Sequence, residues 1–225
     1  MMIYIVSIIA VLVGFLVILI LKPKKQSNLK FLLAFSGAFL LAITVFNLLP
    51  ELFSHEGTTK HFGVWIMTGI LLQKVLEYLS KGVEHGHIHV NKNVTNLPIT
   101  IYISLCIHAI LEGFPLHYNE DLFHGVVIHK IPVAMILSTF LIRSKISTPK
   151  TIVYLLLFSL MTPVGTWMAI HISFLQDFYH EITALVIGIF LHVSTTILFE
   201  NNEGHTFNIT KLLVILLATT IAYFL

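Results

Sequence analysis

Long apolar stretches recur along the whole chain, and they constrain its fold more than any other feature. A run of about 20 apolar residues is long enough to cross a lipid bilayer as an α-helix. Hydrophobic residues make up 56% of the chain and charged residues only 11%, against about 25% charged residues in soluble domains. We therefore predict an all-α integral membrane protein with an eight-helix transmembrane bundle. The predicted helices span residues 2–21, 30–50, 61–80, 97–116, 124–142, 151–171, 180–199 and 210–225.

The connections between these stretches are short, so residues 1–225 are predicted to form a single transmembrane domain with a His-rich loop at about 82–96. The first stretch is predicted to be a retained span and not a signal peptide. No basic residue precedes it, and no small-residue cleavage pattern follows it. The third stretch is the weakest, because three polar or charged residues interrupt it. The single cysteine, Cys106, excludes an intrachain disulfide.

The distribution of Lys and Arg predicts the orientation. If the N-terminus lies outside, ten of the 13 Lys and Arg residues fall in or beside cytoplasmic loops, and the outer loops hold only Lys60. The ten are Lys22, Lys24, Lys25, Lys30, Lys81, Lys92, Arg143, Lys145, Lys150 and Lys211. This bias fits the positive-inside rule, so both termini are predicted to lie outside. The net charge of +2 reflects this bias, and no nucleic-acid partner is expected.

Several ionisable or polar side chains fall within the apolar stretches. Such groups are costly at membrane depth, so they usually face the bundle interior and mark a site or a pathway. For Lys74 and Glu77 we predict an i,i+3 ion pair inside the bundle. For His192, a hydrogen bond between helices and a role on the ion pathway both remain open. The full set is His108 with Glu112, His129 with Lys130, Lys74 with Glu77, His192, and Asn47 with Glu51.

The fourth predicted helix carries the clearest metal-binding pattern. His108 and Glu112 stand four residues apart, which places them on the same face of a helix. An imidazole and a carboxylate together suit Zn²⁺ and neighbouring transition metals. Pro115 lacks the donor that would bind the carbonyl of Leu111, so a disturbed helix is expected beside the pair.

The fifth predicted helix supplies a third candidate ligand. His129 is expected at a depth comparable to that of Glu112, because the two helices run in opposite directions and each residue advances about 1.5 Å. The second helix repeats the spacing with Asn47 and Glu51 around Pro50. We predict a metal site of His108, Glu112 and His129, with Asn47 as a further oxygen ligand. Glu51 is a candidate for the outer path of the ion.

The loop near residue 87 holds a second cluster of histidines. His85, His87 and His89 alternate with Gly and Ile, and short His-rich tracts can bind metal. A solvated loop explains the same pattern. Both interpretations remain open.

Six segments are similar, in order, to stretches of the ZIP (Zrt/Irt-like) family of divalent metal transporters. Asn47 stands where the family usually has His, and His192 replaces a tyrosine. The helix-4 and helix-5 signatures retain His108, Glu112 and His129. The segments are "SGAFLLAITVFNLLPELF", "EHGHIHVNK", "HAILEG", "HKIP", "LMTPVG" and "GIFLHVS".

The resemblance implies transport of a divalent ion into the cytoplasm and no enzymatic activity. Zn(II) is the first choice, and Fe(II), Mn(II), Co(II) and Cd(II) take similar ligands. Lys130 stands where many members have an acidic residue and hold a second metal, so one main transported ion is predicted. Ala109 and Leu111 also depart from the common family pattern.

Two other classes of function remain to be compared. A zinc-dependent intramembrane hydrolase needs metal ligands, an open water position and a general base, but the chain lacks a His-Glu-x-x-His pattern. A membrane scaffold would need no metal-type residues at mid-depth. The lipid bilayer and a divalent ion are the expected partners, and the sequence leaves a homodimer open. The composition and short loops point to a multi-pass plasma membrane protein, specifically of a bacterial inner membrane.

Overall fold

Every regular element in the described part of the chain is helical. The structure is a computed structural model that describes residues 2–21, 27–54, 59–83, 99–117, 119–144, 146–199 and 209–225. The α-helices are α1 Met2–Leu21, α2 Ser27–Ile43, α3 Leu49–Ser54, α4 Thr59–Ser80, α5 Ile99–Gly113, α6 Glu120–Arg143, α7 Thr148–His171, α8 Ser173–Asp177, α9 Tyr179–Phe199 and α10 Ile209–Tyr223.

Six helical runs in these described ranges are long and apolar enough to cross a membrane. Two further apolar helices, Tyr4–Ile20 and Ile209–Tyr223, are shorter. The run at α4 has the lowest mean hydropathy, 1.3, as predicted for the third stretch. The fold is therefore a helical membrane bundle. The six runs are Leu29–Ser54, Thr59–Ser80, Ile99–His117, Asp121–Arg143, Thr148–His171 and Tyr179–Phe199.

α6 and α7 each begin earlier than the apolar pattern predicts, for a local reason. α6 begins at Glu120 because the side-chain oxygen of Asn119 accepts the backbone N–H of Leu122 at 2.8 Å, which is an N-cap contact. α7 begins at Thr148 with a proline in its first turn, where the missing N–H costs nothing. Both helices therefore begin with polar residues that precede the apolar stretch.

Prolines disturb the helices at two of the expected places. A π-helical turn, Thr44–Leu48, joins α2 to α3, and it contains the carbonyl that Pro50 cannot bind. A 3₁₀ turn, Phe114–His117, ends α5 and contains Pro115. In contrast, α6 continues through Pro132. The disturbed backbone therefore lies beside the candidate residues of the second and fourth predicted helices.

The helices pack so that α6 is the most enclosed of the six long runs and α4 the most exposed. α6 contacts α1, α2 and α7, whereas α5 contacts α4 and α7, and α9 contacts α2 and α4. Buried apolar side chains form one cluster that includes residues of α1, α5, α6 and α7, and another that includes residues of α2, α6 and α9. α6 contributes to both clusters, and His129, Lys130 and Ser138 on this helix are buried.

Glycines bring the backbones of α5 and α7 into contact. A Cβ atom added to Gly113 would overlap the backbone carbonyl of Thr162, and one added to Gly165 would overlap that of Ile110. Small residues allow such close helix crossings in membranes. This crossing sets the separation between α7 and the polar face of α5.

A second pair of glycines performs the same role between α4 and α9. A Cβ atom on Gly69 would overlap the carbonyl of Leu185, and one on Gly188 would overlap that of Ile66. The two positions are reciprocal, so each helix presents its glycine to the other backbone. α4 and α9 are therefore a closely packed helix pair, like α5 and α7.

We expect Gly165→Ala to destabilise the fold, because its methyl group would meet backbone atoms that cannot rotate away. Overpacking of this kind costs about 1–3 kcal/mol. Gly63→Ala is the matched control, because its Cβ would meet nothing within 4 Å and alanine favours a helix over glycine by about 1 kcal/mol. Denaturant unfolding in detergent micelles measures both. Equal stability of the two variants would contradict the close crossing.

Candidate functional site

Four ionisable side chains meet in the interior of the bundle. His108 and Glu112 come from α5, and His129 and Lys130 come from α6. None of the four is more than 3% exposed. The i,i+4 spacing gives the two α5 residues a common face, and α6 provides its pair from consecutive positions. The structure thus brings together the three predicted ligands and the predicted lysine.

The two oxygens of Glu112 have different surroundings. Oε1 forms a buried ion pair with the Lys130 ammonium and lies 2.8 Å from the hydroxyl oxygen of Thr162. Oε2 lies 3.7 Å from Nε2 of His108, which is too far for a hydrogen bond. One oxygen is therefore engaged by a cation, while the other faces an imidazole nitrogen.

Lys130 is enclosed by partners on two other helices. Its ammonium donates to Glu112 on α5 and to the hydroxyl oxygen of Thr162 on α7. It also lies 5.3 Å from the ring centroid of Phe158, within the range of a cation–π contact. Because a lone charge in apolar surroundings costs several kcal/mol, this set of partners explains how the lysine is tolerated.

The two histidines present ring nitrogens that no hydrogen bond uses in the described part of the chain. These are Nε2 of His108 and both ring nitrogens of His129. The ring centroids of the two residues lie 6.2 Å apart in an edge-to-face arrangement. Buried polar groups are nearly always hydrogen-bonded, so unused nitrogens call for an explanation. Coordination of a metal ion would supply one.

The arrangement is close to a ligand set without being one as it stands. No group of three or more His, Cys, Asp or Glu residues in the described ranges has the geometry to hold a metal. Tetrahedral Zn²⁺ would place its ligand atoms about 3.3 Å apart and two coordinating imidazole centroids about 5 Å apart. The observed 3.7 Å and 6.2 Å differ from these values by about 1 Å or less. Both spacings are therefore longer than coordination of one ion would require.

The structure places Asn47 and Glu51 beside the first turn of α6. Asn47 donates to a carboxylate oxygen of Asp121 at 2.6 Å, and Asn119 donates to Glu51 at 2.6 Å. Asp121 precedes His129 by eight residues on α6, which is about 12 Å along the helix axis. This cluster is therefore separated along α6 from the four buried side chains.

A second polar group lies between α4 and α9. Glu77 pairs with Lys74 at 3.2 Å and with Nε2 of His192 at 2.7 Å. The predicted ion pair of Lys74 with Glu77 is present. Its predicted place inside the bundle is wrong for Lys74, because the Lys74 side chain is 64% exposed. His192 forms a hydrogen bond between helices, which was one of the two alternatives that the sequence left open for it.

The three histidines at 85, 87 and 89 lie outside the described residues. His85, His87 and His89 fall between the end of α4 and the start of α5 in the sequence. Their predicted metal binding stays a prediction.

Two residues of the buried cluster were missed in the sequence analysis. Gln73 is fully buried on α4, and its Oε1 lies 3.1 Å from Nδ1 of His108. Thr162 contacts Glu112, Lys130 and the carbonyl of Ala109. The sequence marks both residues, because Gln73 is a polar residue in an apolar helix and Thr162 directly precedes a proline. Their partners depend on which helices are neighbours.

Comparison with known protein families gives a match over the C-terminal part of the chain. The sequence model of the family described as ZIP Zinc transporter matches residues 84–225, which is more than half of the chain. The matched region contains the four buried ionisable residues of α5 and α6, whereas Asn47, Glu51 and Gln73 precede it. No curated protein matches the chain.

We expect Lys130→Met to destabilise the metal-free protein by about 3–5 kcal/mol, because it leaves the Glu112 carboxylate buried without its cation. Adding Glu112→Gln should restore much of that loss, since the uncompensated charge is removed. Lys74→Met, which removes an exposed partner, should cost no more than about 1 kcal/mol. Denaturant unfolding measures all three. A double variant no more stable than Lys130→Met would contradict the ion pair.

Proposed function

The chain belongs to the ZIP zinc transporter family, and we propose that it carries Zn(II) across the membrane into the cytoplasm. Members of this family transport divalent metal ions and are not enzymes, so the intramembrane hydrolase has no support. The observation that carries the proposal is the set of unused, buried imidazole nitrogens beside a carboxylate oxygen. These are the donor atoms that zinc prefers.

The proposed ligands are Nε2 of His108, Oε2 of Glu112 and one ring nitrogen of His129. The first two belong to one face of α5, and the third faces them from α6. A fourth position would remain for water, as is usual where a bound zinc ion must exchange. Ligands bind metal in their deprotonated forms, so an acidic outer solution is expected to compete with uptake. Fe(II), Mn(II), Co(II) and Cd(II) take the same donors and belong in the test.

We assign one transported ion to this site, because Lys130 takes the place of a second cation. Its ammonium holds Oε1 of Glu112, the oxygen that a second metal would otherwise share. A second dication next to it would face a fixed positive charge. The same carboxylate then binds one ammonium and one metal ion at its two oxygens.

The outer and inner polar groups mark a path for the ion. On the outside, Glu51 lines a small cleft with Asn119 and His180, and the Asn47–Asp121 pair lies beside α6. Asn47 would then contact the ion on its way to the buried site and would not be a ligand at that site. On the inner side, His192 and Glu77 lie near the cytoplasmic part of α4 and α9 in the predicted orientation. The histidines at 85, 87 and 89 would receive the ion beyond them.

The proposed topology has eight spans, with α1 and α10 crossing the membrane in addition to the six long runs. Both termini then lie outside, and residues 1–225 form one transport domain. The excess of Lys and Arg in the intervening loops supports this orientation. The proposed location is a bacterial inner membrane.

We expect the purified protein in liposomes to take up Zn²⁺, and His108→Ala and His129→Ala to reduce uptake to the level of empty liposomes. Each variant removes one proposed ligand. His171→Ala is the matched control, because His171 is exposed at the end of α7, where its ring contacts Trp167 of the same helix. A zinc-sensitive dye inside the liposomes reports uptake, and a panel of divalent ions tests selectivity. Full uptake by both ligand variants would contradict the site.

We expect one Zn²⁺ per chain at the buried site. To remove binding by the loop, the protein for this measurement carries alanine at positions 85, 87 and 89. Equilibrium dialysis followed by metal analysis gives the stoichiometry, and Glu112→Gln in the same background should abolish it. Two ions bound per chain, both lost with Glu112→Gln, would contradict the assignment of Lys130 to the second position.

A further inference from the structure

Gln73 is a buried amide on the most exposed of the long helices. It has no exposed surface, although α4 as a whole is the least enclosed of the six runs. α4 packs against α5, and Gln73 meets the polar face of α5 at that contact. A buried amide in an apolar bundle needs hydrogen-bond partners, so its position depends on what it contacts.

The contact that bears on the site is between Oε1 of Gln73 and Nδ1 of His108, at 3.1 Å. An amide oxygen only accepts hydrogen bonds. Nδ1 must therefore carry the proton for this contact to be a hydrogen bond. A neutral imidazole has one N–H, so Nε2 is left with its lone pair.

The other side of the ring agrees with this assignment. Nε2 of His108 has no hydrogen-bond partner among the described residues. The carboxylate oxygen Oε2 of Glu112 is 3.7 Å from it, beyond the range of a hydrogen bond. A proton on Nε2 would be buried without a partner, whereas a lone pair at the same place is directed to the proposed ion.

The amide provides this orientation without adding a charge. Metal-bound histidines usually donate their second N–H to a carboxylate, a carbonyl or water, which fixes the ring and its tautomer. In this cluster the charges of Lys130 and Glu112 already balance. A neutral acceptor leaves that balance unchanged, which a second carboxylate would not.

We propose that Gln73 is a positioning residue that accepts the Nδ1 proton of His108 and so keeps the Nε2 lone pair available to the transported ion. The inference rests on the proposed function for the identity of the ion. The tautomer itself can be measured without any transport.

The first experiment reads the tautomer in the metal-free protein. Full-length protein labelled with ¹⁵N-histidine is placed in nanodiscs, and the His108 signals are identified by their loss in His108→Ala. Protonated and unprotonated ring nitrogens give well-separated ¹⁵N shifts. We expect the proton on Nδ1 in the wild type and a substantial Nε2–H population in Gln73→Met, which keeps the side-chain length but has no amide oxygen. A wild-type proton on Nε2, the result if the amide is turned around, would overturn the proposal.

The second experiment measures Zn²⁺ affinity by competition with a fluorescent chelator. We expect Gln73→Met to weaken binding by about 10–100-fold, the usual effect of removing such a partner. Gln73→Glu keeps an acceptor and should bind at least as tightly as the wild type. Ser80→Ala controls for loss of another buried polar group on α4, and it should change neither affinity nor tautomer. Weaker binding in Gln73→Met with an unchanged tautomer would indicate a packing effect and refute the positioning role.

The two proposals fail separately. Wild-type liposomes that take up no divalent ion would refute transport while leaving the tautomer measurement valid. Normal uptake together with an Nε2–H tautomer would refute the role of Gln73 alone.

Discussion

The ion pair between Lys130 and Glu112 is the contact on which the arrangement of α5, α6 and α7 depends. Each charge alone would cost several kcal/mol in the apolar interior, so the pair has to form for either residue to be buried. Thr162 completes it from α7, which ties three helices to one register. The same contact determines which oxygen of Glu112 faces His108. Fold and candidate site therefore share a single electrostatic requirement.

This pairing also sets the charge of the site that a dication would meet. With neutral imidazoles, the ammonium of Lys130 cancels the carboxylate of Glu112, and Gln73 adds no charge. Binding then depends on the coordinate bonds to nitrogen and oxygen more than on a net negative potential. A site of this kind holds an ion less tightly than one with two acidic ligands, which suits a protein that must also release it.

The sequence predicted those features that depend on neighbouring residues along the chain. The helices follow from apolar length, the common face of His108 and Glu112 from their spacing, and the end of α5 from Pro115. The contact of Gln73 with His108 could not be predicted, because it requires α4 to lie against α5. The role of Thr162 likewise depends on where α7 crosses α5. The start of α6 could have been predicted from the sequence, because Asn119 before two acidic residues is a typical N-cap.

The glycine crossings bear on how such a bundle can change shape. α5 and α7 touch through their backbones, and the hydroxyl of Thr166 donates to the carbonyl of Gly113 at 2.7 Å, so sliding one past the other would break contacts that no side chain can replace. α4 and α9 are joined in the same manner. A movement of one of these two pairs against the other would shear the contact between α4 and α5. The contact between Gln73 and His108 crosses the interface of α4 and α5. The position of His108, a proposed ligand, would therefore change if one helix pair moved against the other.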